Sequence, residues 1–567
     1  MSTLDWIVLS GTLLLIVAYG VYKNRKHHTL DVYLLGHQNV PWWRIGFSVM
    51  ATQASAITFL SAPGLAYIDG MRFVQFYFGL PLAMIFISVF FLPIYQKLKV
   101  YTAYQFLEQR FDLKTRSLTA MLFLTQRGLA AGLTIYAPSI VLSSLLGWNI
   151  YWTNVFMGGL VITYTMTGGT RAVSMTQLQQ LLIIFIGMFI AGWMAVKLLP
   201  DGIGFTDALM VAGKMGKTNV ITTNFDWNDR YNIWSGVIGG FFLALSYFGT
   251  DQSQVGRYLT GRSVTQSRLG LLMNGMLKVP MQFLILMIGA LVFAFYQFNP
   301  SPVFFNDRVV ERVLESAKAN EFSEISNQYN ALTEGKKKNA FALLDGMKNK
   351  NTNDVNQAQD ELRAADAKGK ALRAEAIAVI KEAHPSADTN DTNYIFLTFV
   401  LHYLPHGLIG LLIAVVFCAS WNSTTAELNA LASTSIIDIY KRSIKSDGSD
   451  KHYINASKVA TLCWGIFAIG VAQLANKLGS LIEAVNILGS LFYGTILGIF
   501  LTAFFLKKVK GNAVFLAALI TEALVIIFYM NDVVAFLWLN MIGCGLVMIF
   551  SLLLNKIFRN QGHNIFP

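Results

Sequence analysis

The sequence predicts an all-α protein that crosses a membrane many times, and three observations support this fold class. Hydrophobic residues make up 54% of the 567 residues and charged residues only 13%, whereas a soluble domain carries about 25% charged residues. The mean hydropathy is +0.48. Runs of about 20 apolar residues, the length that crosses ~30 Å of hydrocarbon as a helix, recur along the chain. A soluble globule is therefore excluded.

We predict thirteen membrane spans, each an apolar segment between polar or charged residues. The first span is followed, not preceded, by basic residues, which is the reverse of a secretory signal, so we expect it to be retained. The predicted spans are residues 4–22, 41–66, 73–95, 117–146, 150–168, 176–199, 232–252, 269–297, 407–440, 455–475, 480–506, 512–530 and 533–555.

The distribution of basic residues predicts the orientation. With the N-terminus outside, the seven cytoplasmic segments hold 21 Lys and Arg, and the short outside loops hold 5. Cytoplasmic loops of membrane proteins are rich in these residues. The net charge of +12 is then explained without a nucleic-acid partner. We expect a multi-pass protein of the cell membrane, embedded in the lipid bilayer, with its C-terminus in the cytoplasm.

One long polar segment divides the chain into three parts. Residues 303–391 carry 13 basic and 15 acidic residues, and their apolar positions have helical spacing. We expect an extramembrane helical insertion on the outer side, between a first membrane part at 1–302 and a second at 392–567. The insertion is either an exposed addition without chemistry or a docking surface for a protein partner.

Several predicted spans contain ionisable residues, which are costly in a bilayer and mark a pathway or an internal ion pair. The ninth span adds oxygen-bearing side chains, with Ala419, Ser423 and Glu427 at i, i+4 and i+8 on one helix face. Such oxygens suit a hard cation such as sodium. The ionisable residues within spans are Arg127, Asp251, Lys278, Glu427, Glu483 and Glu522.

The function classes narrow accordingly. Phosphate-binding glycine loops, zinc-protease motifs and nucleophile elbows are missing from the sequence, so we expect no enzyme and no cofactor other than sodium as a coupling ion. The middle of the second span, residues 46–64, is dominated by small and hydroxyl residues, as in the interrupted helices of secondary transporters. An ion-gradient-driven solute carrier is predicted; the alternatives are a passive channel or facilitator, or a membrane sensor that uses the insertion.

Four stretches resemble the sodium/solute symporter family, whose members carry sugars, proline, iodide, monocarboxylates or sialic acid. They are residues 48–64, the G-G-T-R-A-V motif within 168–180, G-T-D-Q at 249–252 and the ninth span through 440. The resemblance implies a leucine-transporter-like core of two inverted five-helix repeats, with one extra N-terminal and two extra C-terminal helices. The first helix of each repeat would be broken at the midplane.

The resemblance also implies a sodium site. Its ligands would be the carbonyls of Ala51, Ala54 and Ala419 and the side-chain oxygens of Asn422 and Ser423. The family usually has two hydroxyl residues at the last two positions. Asn422 is therefore a departure, although an amide oxygen also binds cations.

A second sodium site in some members uses an aspartate where this chain has Gln177. One sodium per solute is therefore expected, because an ion in a low dielectric needs a compensating charge. The alternative is a displaced second site formed by Gln177, Thr425 and Glu427.

Candidate substrate positions combine those implied by the resemblance with polar residues of the same spans. Tyr247 matches the family's inner-gate tyrosine, and Lys278 matches a lysine that contacts sugar. Thr58 stands where sugar carriers have an acidic or amide group, which argues against a hexose. Arg127 either forms an internal ion pair or binds a solute carboxylate. The candidates are Gln53, Ser55, Thr58, Gln75, Tyr77, Arg127, Tyr247, Asp251 and Lys278.

Overall fold

The computed structural model describes residues 1–23, 40–98, 100, 102–475 and 478–560, with side chains described outside 17, 19–23, 167–176 and 559–560. Helices make up 81% of this part of the chain, and no strand is formed within it. The helices are α1 (Thr3–Lys23), α2 (Trp42–Gln53), α3 (Ala56–Asp69), α4 (Met71–Leu98), α5 (Gln105–Arg110), α6 (Leu113–Leu146), α7 (Ile150–Lys197), α8 (Phe205–Lys214), α9 (Ser235–Thr250), α10 (Gln252–Tyr258), α11 (Val264–Phe298), α12 (Asp307–Leu314), α13 (Ala319–Lys348), α14 (Thr352–Ala383), α15 (Ile395–Tyr403), α16 (Leu408–Ile444), α17 (Asp450–Ala472), α18 (Leu481–Phe505), α19 (Gly511–Met530) and α20 (Phe536–Asn560).

The apolar helices account for the membrane character of the chain. Within the described residues, nine are long and apolar enough to span a bilayer, and the bent pair of α2 and α3 makes ten. The remaining predicted spans correspond to α1, to the first part of α7, and to the short α9 with α10. The structure therefore gives a helical membrane bundle, and the count of thirteen crossings stays a prediction.

Two helices at the centre are broken. α2 and α3 meet at a bend of 62°, and the extended backbone of Asp251 separates α9 from α10. The first break lies within the second predicted span and the second at the end of the seventh, while a midplane position for both stays a prediction. Broken helices are possible at membrane depth where the unpaired backbone groups contact protein and not lipid.

α6 and α16 run antiparallel through the centre beside these breaks. Ser420 on α16 donates to the Thr134 carbonyl on α6 at 3.0 Å, and Arg127 on α6 pairs with Glu427 on α16 at 3.1 Å. These contacts fix the relative heights of the two helices.

Helical backbone is continuous through α7, where the sequence predicts two spans. Yet Gly158 lies beside Ile135 of α6, and Gly187 lies beside Val415 of α16, two positions at similar heights. A straight helix would separate the two glycines by about 43 Å at 1.5 Å per residue. The helix therefore turns back between them, and its halves pack separately. The side chains of 168–176, most of the motif between these halves, lie outside the described residues.

The polar insertion is an antiparallel helical hairpin, α13 and α14, with α12 at its base. Its own small core includes Phe322, Tyr329 and Leu372. Arg373 pairs with Asp391 at 2.7 Å and secures the hairpin to the chain that leads into α15. We call the end of the bundle that bears this hairpin the insertion end.

The insertion is packed against the central broken helix. Gly64 of α3 lies so close to the Thr392 carbonyl that a Cβ at this position would collide with it. The Asn393 side chain accepts a hydrogen bond from the Leu481 N–H at 3.2 Å. The base of the insertion therefore lies between α3 and the start of α18.

Candidate functional site

A buried cavity of about 90 Å³ lies where the broken helix meets α16. Hydroxyl, amide and charged side chains share its wall with apolar residues, as in pockets for small polar ligands. The lining residues are Thr52, Gln53, Ser55, Ile57, Thr58, Phe76, Tyr77, Gln126, Arg127, Thr134, Leu243, Tyr247, Ser423, Glu427, Ile482, Val485, Asn486, Gly489 and Tyr493.

The break between α2 and α3 changes the backbone hydrogen bonding beside this cavity. Ala54 N–H donates to the Met50 carbonyl at 2.9 Å and closes the last turn of α2. The next amide, that of Ser55, donates to the Gln53 carbonyl at 3.0 Å, two residues back. The carbonyl of Ala51 is thereby left without its regular helical donor. Carbonyls exposed by an unwound helix are ligands for sodium in secondary transporters.

α16 reaches the same break through Ser423, whose hydroxyl donates to the Thr52 carbonyl at 3.1 Å. Ala419 lies one turn earlier on this face and is fully buried. Asn422 is also buried, and neither its amide oxygen nor its amide nitrogen has a hydrogen-bond partner among the described residues. Of the three α16 positions of the predicted sodium site, Ser423 is therefore the one observed in contact with the helix break, and the complete ligand set stays a prediction.

A buried charged cluster lies on the wall of the cavity. The Arg127 guanidinium contacts Asp251, pairs with Glu427 at 3.1 Å and donates to the Tyr493 hydroxyl at 2.6 Å. Tyr493 in turn donates to Asp251 at 2.9 Å, and the Tyr247 ring lies 5.3 Å from the guanidinium. The cluster links the break before α10, the helix α6 and the predicted sodium-binding helix α16.

Of the two roles considered for Arg127, the structure contains the internal ion pair. Its side chain is 4% exposed, and the side chains of Asp251 and Glu427 are 0% and 7% exposed. Two carboxyl groups thus share one guanidinium, so the cluster is neutral when one of them is protonated and carries a surplus negative charge when both are ionised. The Nε of Arg127 has no hydrogen-bond partner among the described residues, which leaves one donor of this cavity-lining side chain for a solute carboxylate.

The residues of the alternative second sodium site have different neighbours. The Gln177 amide oxygen accepts a hydrogen bond from Ser48 at 2.6 Å. Thr425 accepts from Thr165 at 3.3 Å, and Glu427 faces Arg127. No hydrogen bond joins Gln177, Thr425 and Glu427 to one another among the contacts of the described residues, and the alternative second site stays a prediction.

Three of the nine candidate substrate positions do not line the cavity. Gln75 is fully buried, and its side-chain amide donates a hydrogen bond to the Tyr231 backbone carbonyl at 2.9 Å. Asp251 lies within the charged cluster. Lys278 is buried, and its amine, which has no hydrogen bond among the described residues, lies 5.7 Å from the Tyr77 ring. The six that line the cavity are Gln53, Ser55, Thr58, Tyr77, Arg127 and Tyr247.

No motif in the sequence indicates that α18 contributes to the cavity. Asn486 and Tyr493 line it, although neither lies in a recognised motif. Glu483, the ionisable residue noted in this span, instead pairs with Arg230 at 3.1 Å near the insertion end. The local sequence does contain a sign of close packing near Tyr493, namely the glycines Gly489 and Gly494.

A broken helix, an oxygen-bearing helix beside it and an enclosed polar cavity together define a secondary transporter. The chain belongs to the sodium:solute symporter family, whose family model matches residues 33–318 and 367–521. Residues 319–366, most of the insertion hairpin, lie outside that match. Helical structure and long apolar segments agree with a multi-pass membrane protein of this family.

Relatives carry out sodium-coupled symport of different solutes. The chain is 24% identical to the sodium/sialic acid symporter of Proteus mirabilis, over 98% of this chain and 95% of the relative. It is 24% identical to the sodium/glucose cotransporter of Vibrio parahaemolyticus, over 92% and 85%. It is 31% identical to human sodium-coupled monocarboxylate transporter 1, over 48% and 44%.

A solved structure shows the same fold. A Na⁺-coupled sialic acid symporter in a substrate-bound outward-open state matches with a TM-score of 0.76 and 23% identity, covering 98% of each chain. The match supports a membrane transporter fold for this chain.

Proposed function

We propose that the protein is a sodium-coupled symporter that imports a small polar organic solute by alternating access. The observation that carries the proposal is the contact of Ser423 on α16 with the Thr52 carbonyl at the helix break, directly beside the polar cavity. A sodium ion bound there would join two elements that must move relative to each other, because broken helices and their partners form the sites of such transporters.

The proposed sodium ligands are the carbonyls of Ala51, Ala54 and Ala419 and the side-chain oxygens of Asn422 and Ser423. The unpartnered amide of Asn422 supports its inclusion, because buried polar groups normally have a partner. We propose one sodium per solute, since Gln177 is neutral and engaged with α2.

The proposed solute occupies the cavity between α3, α6, α9 and α18. Its class is a sugar, sialic acid or monocarboxylate-like compound, in line with what the named relatives carry. We further propose that the protein lies in the plasma membrane with the insertion and the N-terminus outside, because the basic residues are concentrated in the opposite loops.

The test is uptake by the purified full-length protein in liposomes. Lactate, sialic acid, glucose and proline are offered separately with an inward sodium gradient, and then with potassium in place of sodium. A symporter accumulates one of these classes above equilibrium only with the sodium gradient, and a sodium ionophore abolishes the accumulation. Equilibration without accumulation would indicate a facilitator, and the absence of flux for every class would contradict the proposal.

A further inference from the structure

A second cavity, of about 130 Å³, lies between the base of the insertion and the ends of α6 and α7. None of its lining residues belongs to the cavity beside α16. Its walls include an acidic group, two arginines on α12 and three tyrosines.

The acidic group is Asp388, in the chain that leads from α14 to α15. Its carboxylate accepts the Asn390 N–H at 2.9 Å and makes no ion pair among the described residues. Burial, together with the nearby Asp391, raises the pKa of Asp388 to about 7. A partly buried carboxylate without a countercharge is costly, so a positively charged group entering the cavity would be stabilised here.

The arginines supply the opposite charge. Arg308 pairs with Glu311 at 2.8 Å, whereas the Arg312 guanidinium forms no ion pair in the part of the chain that the structure describes. The His384 ring shares a hydrogen bond with the Arg312 carbonyl at 3.1 Å, which ties this helix to the segment that bears Asp388. The backbone of Arg312 is therefore held at the cavity, and its exposed guanidinium can turn its donors to a carboxylate there.

Three tyrosines complete the walls. Tyr136 of α6, Tyr151 of α7 and Tyr394, directly before α15, line the cavity with Asp388, and Tyr136 and Tyr394 interact with each other. Aromatic faces next to a carboxylate are the surroundings in which organic ammonium groups are bound.

We propose that this cavity binds a small zwitterion, with its ammonium group at Asp388 between the tyrosines and its carboxylate at Arg312. An anion alone would meet the carboxylate of Asp388, and a cation alone would meet Arg308 and Arg312. A neutral compound would leave both charges unpaired. The two unpaired charges that share this cavity match a molecule that carries one charge of each sign. The site is independent of the proposed sodium site and lies at the junction of the insertion with the bundle.

The test uses the full-length protein in nanodiscs, in potassium buffer without sodium and at constant ionic strength. The probes are L-alanine and glycine betaine, together with two compounds of betaine's shape that carry one charge only: choline, which keeps the cation, and 3,3-dimethylbutyrate, which keeps the anion. We expect one saturable betaine or alanine site per chain. Betaine should bind at least tenfold more tightly than choline or dimethylbutyrate.

Two variants and one control locate this binding. Asp388→Asn and Arg312→Gln should each weaken it at least tenfold, and the exposed Arg312 position keeps the test valid if the aspartate variant does not fold. Ser423→Ala should leave it unchanged, although we expect that variant to impair symport. The inference is overturned if neither zwitterion binds, if choline or dimethylbutyrate binds as tightly as betaine, or if binding survives Arg312→Gln. None of these results bears on gradient-driven uptake.

Discussion

Replacing Ser423 by alanine should weaken sodium coupling selectively, and the chain offers a matched control. Ser423 and Ser420 are both buried on α16. Each hydroxyl donates to a backbone carbonyl of a neighbouring helix, at 3.1 Å to Thr52 and at 3.0 Å to Thr134. Only the first of these carbonyls lies at the break of the second span. The two variants therefore remove equivalent hydrogen bonds from different places.

The expected magnitudes follow from this geometry. Each variant loses one hydrogen bond, a net contribution of about 0.5–1.5 kcal/mol to stability, so the two melting temperatures should fall by similar amounts. Ser423→Ala also removes a proposed sodium ligand. If that oxygen contributes at least ~1.4 kcal/mol to binding, the sodium concentration for half-maximal uptake rises tenfold or more. Ser420→Ala should change it by about twofold at most.

The assay is initial-rate solute uptake in liposomes over a range of sodium concentrations, with lithium and potassium as controls. Melting of the same preparations checks that both variants are equally folded. Equal sodium dependence in the two variants, or a shift only in Ser420→Ala, would refute the placement of sodium at the helix break.

Three further outcomes are expected. Glu427→Gln should leave the Hill coefficient for sodium near one and the charge moved per solute unchanged, because one sodium is proposed. A Hill coefficient that falls from two in the wild type to one in this variant would establish a second sodium site that uses the Glu427 carboxylate. Arg373→Gln should lower the free energy of unfolding by about 3–5 kcal/mol, since it leaves the buried Asp391 without its ion-pair partner. The control Lys370→Gln removes an ion pair at the surface and should lower it by under about 1 kcal/mol. Equal melting temperatures of the two variants would show that the Arg373–Asp391 pair contributes little. The pKa of Asp388 is raised to about 7, so the folded state binds this proton more tightly than the unfolded state, and the wild type loses stability as pH rises from about 4 to 7. In thermal melts, Asp388→Asn should therefore be more stable than the wild type by a margin that grows between pH 5 and pH 8. A constant margin would contradict a carboxylate at this position that lacks a countercharge.

Local pattern in the sequence predicted the features that depend on neighbouring residues alone. Apolar length predicted a helical membrane bundle, because a bilayer requires every backbone group to be satisfied within a helix. Charge and helical spacing separated the insertion at 303–391. The small and hydroxyl residues of the second span, and the oxygen-bearing face of the ninth, indicated the two elements that meet at Ser423 and Thr52. The family motifs connected these elements to sodium.

Contacts between distant residues were decided only by the tertiary structure. Arg127 pairs with Asp251 and Glu427, which lie 124 and 300 positions away in the sequence. The sequence alone did not determine which acidic residue would be its ion-pair partner. Gln75 holds backbone outside the cavity, while Tyr493, in no motif, lies inside it. Hydropathy and periodicity determine that a segment is helical and which face is apolar. They do not determine which neighbour that face meets, because ion pairs and cavity walls depend on how complete helices pack against one another.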